Sequence, residues 1–128
     1  MSDEFHSGCA ARMVLEHVTS RWGVLVLSAL SGGPLRFFEL REKIEGISEK
    51  MLSQTLRTLA QDGLVHRTVV PSAPPQVSYR LTPLGAGISE PLRGLTAWIR
   101  DHADAIVAAR AAHGAPAASP GEQASDAT

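Results

Sequence analysis

Apolar residues recur through the first sixty-odd positions at helical spacing, separated by short polar or glycine-bearing breaks. After a polar start, Met13, Val14 and Val18 predict a short helix. Trp22, Leu25, Val26, Ala29 and Leu30 then line one face of a second helix, which Ser20 is placed to cap. The run Ser31-Gly32-Gly33-Pro34 stops it in a turn. Phe37, Leu40 and Ile44 form a third stripe with Phe38 beside it, and Gly46 ends this helix. Ser48 opens a fourth, in which Leu52, Leu56 and Leu59 face inward and Asp62-Gly63 marks the exit.

From Leu64 the period falls to two. Val65, Arg67 and Val69 share one face of a strand, and Val77, Tyr79 and Leu81 share one face of another. The connector Pro71-Ser72-Ala73-Pro74-Pro75-Gln76 holds too much proline to continue a strand, so it should project as a stiff loop. Thr82-Pro83 opens a long last helix, because threonine caps free amides and proline loses no hydrogen bond at the first helical position. Its stripe runs through Leu84, Ile88, Leu92, Leu95, Ile99, His102 and Ile106, with Trp98 alongside. From Gly114 the chain is mostly Ala, Pro, Ser and Gly without periodicity, the composition of a disordered tail. The pattern therefore predicts a mainly α fold with a small β-hairpin wing, a winged helix-turn-helix domain over residues 9–113. A flexible arm over 1–8 and the tail over 114–128 flank it.

With 128 residues, 44% of them hydrophobic, the chain has room for one core, so a single domain is expected. No apolar run approaches the roughly 20 residues of a membrane span. The opening MSDEFHSG lacks the basic start and apolar stretch of a signal peptide, so a cytoplasmic protein is expected. Cys9, the sole cysteine, has no intramolecular disulfide partner, which suits a reducing compartment. The formal net charge is −1, but residues 10–82 hold nine Lys/Arg against six Asp/Glu, while the flanks hold three against seven. The middle is modestly basic, an excess that ordinary solvated surfaces also show.

A short helix, a glycine turn, a second helix and a hairpin directly after it form the arrangement of a double-stranded DNA reader. On the fourth helix Lys50, Gln54, Arg57 and Gln61 follow at steps of four, three and four, giving one outward polar stripe without an acid. Arg and Gln match guanine and adenine edges in the major groove, while Lys50 and Ser48 suit phosphates and edges more loosely. The same side chains are good helix formers on any wet face, so the helix alone does not decide between the two readings. The wing shifts the balance. There Gln76, Ser78 and Arg80 alternate outward, and Arg80 is placed for a phosphate or the minor groove, or else for plain solvation. Arg21 and Arg36 stand near the starts of two helices, where each is either a phosphate contact beside the amide ends or an ordinary surface arginine.

An enzyme finds little support. There is no Gly-x-Ser-x-Gly elbow and no phosphate loop, and Gly85-Ala86-Gly87 is too short for a dinucleotide fingerprint. No His-x-x-x-His pair occurs, and His6 with Cys9 is at most half a metal site, so no cofactor or metal is expected. His102 on the apolar stripe reads as an interface or core histidine. The rival to DNA binding is a winged helix used as a protein-interaction module, since fold does not fix function.

The stretch LRFFELREKIEGISEKMLSQTLRTLAQDGLVHR from Leu35 to Arg67, followed by PPQVSYRLTPLG from Pro74 to Gly85, closely resembles the HxlR family of bacterial winged-helix regulators over roughly residues 9–100. The resemblance implies a homodimer joined through the first and last helices, binding two half-sites of a pseudo-palindromic operator. By position, Lys50, Gln54 and Arg57 fall in the family's recognition helix and Gln76 in its wing. Two departures stand out: Ala10 follows Cys9 where Cys-Pro is usual, and Thr19-Ser20-Arg21-Trp22 replaces the common Gly-Gly-Lys-Trp. Several family members sense oxidants or electrophiles through a cysteine matching Cys9, so the resemblance makes Cys9 a candidate redox sensor. A helix start beside it, with Arg12 and His6 near, would favour the thiolate; a small packing residue is the alternative.

Overall fold

The computed structural model describes residues 8–114, so the expected arm and tail lie outside the described residues apart from Gly8 and Gly114. The elements run α1 (Ala10–Thr19), α2 (Arg21–Leu30), β1 (Leu35–Arg36), α3 (Phe37–Lys43), α4 (Glu49–Gln61), β2 (Val65–Val70), β3 (Gln76–Leu81) and α5 (Pro83–Ala112). They group into two compact units, the first ending at Glu90 and the second beginning at Pro91, a proline inside α5. Among the described residues no helix is long and apolar enough to cross a membrane.

The helix starts of the first unit come from local side-chain chemistry. Ser20 Oγ accepts the Gly23 amide at 3.1 Å, Ser48 Oγ accepts that of Met51 at 3.1 Å, and Thr82 Oγ1 accepts that of Gly85 at 3.1 Å. Each satisfies an amide that the first turn leaves without a helical partner. Thr82 also donates its hydroxyl proton to the Gly63 carbonyl at 2.5 Å, tying the start of α5 to the exit of α4. Gly46 (φ +88°) and Gly63 (φ +75°) adopt the left-handed turn conformation that a side chain would resist.

Trp22, Val26, Leu27 and Leu30 of α2 meet Leu40 of α3, Leu52, Leu56 and Leu59 of α4, and Val18 of α1 in one buried core. Each such side chain contributes about 1.5–3 kcal/mol relative to exposure. Leu25, expected on the inner face of α2, is instead exposed, and Leu27 takes the inner place because the buried arc is centred nearer Val26 and Leu30. Gly23 and Gly85 are close approaches: a Cβ on Gly23 would overlap the His17 carbonyl, and one on Gly85 would overlap that of Leu64. His17 Nδ1 lies 2.6 Å from Asp62 Oδ2, a side chain only 7% exposed, and this pair fastens α1 to the C-cap of α4.

The expected two-stranded hairpin is one strand wider. The sheet order is β1-β3-β2, all antiparallel, with Leu35 opposite Tyr79 and Arg36 opposite Ser78. A two-residue strand carries no period of its own, so only its tertiary pairing defines it. On β2, Val65 is buried but Val69 is exposed, because the ribbon runs out past the core toward its loop.

In the second unit, Leu95, Trp98, Ile99, Ile106 and Val107 are exposed on the chain. His102 is exposed too; its ring stacks on Trp98 with centroids 4.0 Å apart, and Nδ1–H donates to the Trp98 carbonyl at 2.8 Å.

Candidate nucleic-acid interface

α4 turns Leu52, Leu56 and Leu59 into the core, which leaves Lys50, Gln54, Arg57 and Gln61 exposed on the other side. Ser48 sits at the head of this stripe with its oxygen engaged in the cap. The acid nearby, Glu49 in the first turn, accepts a hydrogen bond from Arg41 Nη1 of α3 at 2.7 Å. That exposed pair links the two helices of the helix-turn-helix and offsets the carboxylate charge next to the stripe. Neither Arg41 nor Glu49 stood out in the sequence, because a link across eight residues and a turn follows no helical spacing.

Pairing of β1 with β3 brings together Arg36 and Gln76, forty residues apart, and Arg36 Nη2 donates to Gln76 Oε1 at 2.8 Å. The Arg36 amide donates to Glu39 Oε1 at 2.8 Å, which caps α3 and holds the Arg36 backbone in place. Strand alternation and register put Arg36, Gln76, Ser78 and Arg80 on one face of the sheet, with Thr68 opposite Ser78 and His66 opposite Arg80. His66 and Thr68 belong to this face but were invisible without the register.

Arg21 stands apart. It opens α2 with its guanidinium 5.4 Å from the Trp22 ring centroid, and among the described residues no hydrogen bond or ion pair joins it to α4 or the wing. Cys9 is half-buried at the N-cap of α1 and its carbonyl accepts the Met13 amide at 3.1 Å. Arg12, the cation expected beside the thiol, lies 3.5 Å from Glu16 on its own helix, and His6 is outside the described residues. A cleft of about 230 Å³ opens between α1 and α4, lined by Glu16, His17, Gln54 and Thr58 among others.

Comparison with known proteins fits this geometry. A model of the HxlR-like helix-turn-helix family matches residues 17–107. The HTH-type transcriptional regulator YtfH of Escherichia coli, itself uncharacterised, is 51% identical over 106 residues, 83% of this chain and 84% of that protein. The solved structure of the transcriptional regulator ytfH from Salmonella typhimurium superposes with a TM-score of 0.78 at 49% identity, covering 83% of this chain and 95% of that one. The redox regulator HypR in its reduced form gives a TM-score of 0.70 at 29% identity over 75% of this chain and 95% of its own. With its two-helix reader, its three-stranded wing and these relatives, the chain belongs to the HxlR-like helix-turn-helix family of winged-helix transcriptional regulators.

Proposed function

We propose that the protein regulates transcription by binding double-stranded DNA as a homodimer in the cytoplasm, with α4 in the major groove and the wing against the flanking backbone and minor groove. The observation that carries this reading is the exposed, acid-free stripe of Lys50, Gln54 and Arg57, backed by buried leucines, in the same compact unit as a sheet face bearing Arg36 and Arg80. Such a surface supplies phosphate contacts for affinity and base-edge donors and acceptors for specificity. Its relatives named as transcriptional regulators support the same role. Two copies would meet through Met13 and Leu15 of α1 and the exposed apolar side chains of α5, placing two α4 helices on half-sites one helical turn or a multiple apart. Repression is the proposed direction of control, the commoner one for a regulator of 128 residues.

Cys9 is the proposed sensor, by analogy with the relative named as a redox regulator. With no second cysteine in the chain, its oxidation or alkylation would end in an intersubunit or mixed disulfide or an adduct. The test of the central reading is selection of bound duplexes from a random pool, followed by titration of the winner across salt. Affinity should fall steeply as salt rises, since phosphates neutralised by Lys and Arg release counterions. No retention on any duplex at low salt would favour a protein-interaction module instead.

A further inference from the structure

A glutamine carboxamide can turn either way, offering an oxygen that accepts or a nitrogen that donates, so an unrestrained glutamine reads poorly. Gln76 is restrained. It is the first residue of β3, directly after Pro74 and Pro75, and its Oε1 accepts from Arg36 Nη2 at 2.8 Å. A guanidinium has N–H donors and no acceptor, so this partner leaves only one orientation of the carboxamide: oxygen toward Arg36, NH2 group away. Register keeps the partner in reach, because Arg36 pairs with Ser78, two residues along the same face. Both side chains are exposed, at the end of the sheet from which the wing loop projects.

We infer that Arg36 makes Gln76 a donor-only reader of the minor groove, so that the wing favours A·T over G·C pairs flanking the half-site read by α4. This rests on the DNA-binding reading above. At an A·T pair the minor groove shows only acceptors, adenine N3 and thymine O2; a G·C pair adds the 2-amino donor of guanine. A Gln76 NH2 group finds open acceptors at the first; at the second the guanine 2-amino donor stands between guanine N3 and cytosine O2 and competes for them, so an N–H stripped of water is poorly paired there. Arg36 is here a positioning residue, and its remaining N–H groups stay available to a phosphate.

The experiment uses the full chain and the selected duplex, with the wing-facing flank made of A·T, G·C or inosine·cytosine pairs, and reads affinity by fluorescence anisotropy. Inosine lacks the 2-amino group but keeps the major-groove face of guanine. Wild type should bind the A·T and inosine flanks equally, about three- to tenfold tighter than G·C, the scale of one net hydrogen bond. Arg36→Ala and Gln76→Ala should bring the three flanks within about twofold of each other, while Arg36→Lys, still a pure donor, should keep the preference. A merely structural Arg36 would lower all three affinities together and leave their ratio intact, which overturns the inference. So does an inosine flank that behaves as G·C, or a wild type that binds duplexes but ignores the flank. Absence of all duplex binding overturns the DNA reading itself.

Discussion

Arg57 shows how the core assigns work to single side chains at the surface. Leu56 and Leu59 on either side of it are buried, so the helix has no freedom to rotate Arg57 inward, and its guanidinium fork is held out toward solvent. A fork in that setting matches guanine O6 and N7. Arg57→Ala should therefore cost about 1–3 kcal/mol on the selected operator and relax sequence preference, measured by anisotropy on operator and mismatched duplexes. Lys50→Ala should weaken all duplexes alike and flatten the logarithmic salt slope by about one. If Arg57→Ala instead behaves like Lys50→Ala, the arginine holds a phosphate.

At the level of elements, α4 is held at both ends by different devices. Its start depends on Ser48, whose oxygen takes the Met51 amide; Ser48→Ala should lower unfolding free energy by about 1 kcal/mol in urea titrations. Its end depends on the contact between Asp62 and His17 of α1. A double-mutant cycle with His17→Ala and Asp62→Ala should return a coupling of about 1 kcal/mol, since His17→Ala leaves an almost wholly buried carboxylate without its partner and Asp62→Ala leaves the imidazole without its own. Additive effects would show that the two groups stabilise the fold independently. The sheet is assembled on the same principle of mixed origins: β2 and β3 follow from alternation in the chain, while β1 exists because the turn after α2 delivers Leu35 and Arg36 beside β3.

For the whole molecule, the exposed apolar side chains bear on assembly. Trp98, 55% exposed, and Ile99, 46% exposed, would be costly on a solitary chain, and the proposed homodimer covers them. Sedimentation at micromolar concentration should give a dimer, and Trp98→Glu should shift it toward monomer while weakening operator binding, because half-sites then lose their shared partner. A wild-type monomer would remove the dimer from the proposal. Operator binding with and without oxidant should differ for the wild type and not for Cys9→Ser; equal responses would leave Cys9 a packing residue.

Much of this protein was determined by its sequence alone, where the physics is local. Ser20, Ser48 and Thr82 cap helices through hydroxyls three residues from the amides they accept, Gly46 and Gly63 mark turns through their own backbone freedom, and the outward stripe of α4 follows from leucine spacing. The tertiary structure decided whatever depends on segments meeting: strand β1, the exposure of Leu25, the Arg41–Glu49 and His17–Asp62 links, the close approach of Gly85 to Leu64, and the Arg36–Gln76 bond. A cap or turn is encoded within one turn of chain, whereas a contact between residues forty positions apart is set by how a shared core packs, and no periodicity in either segment carries that information.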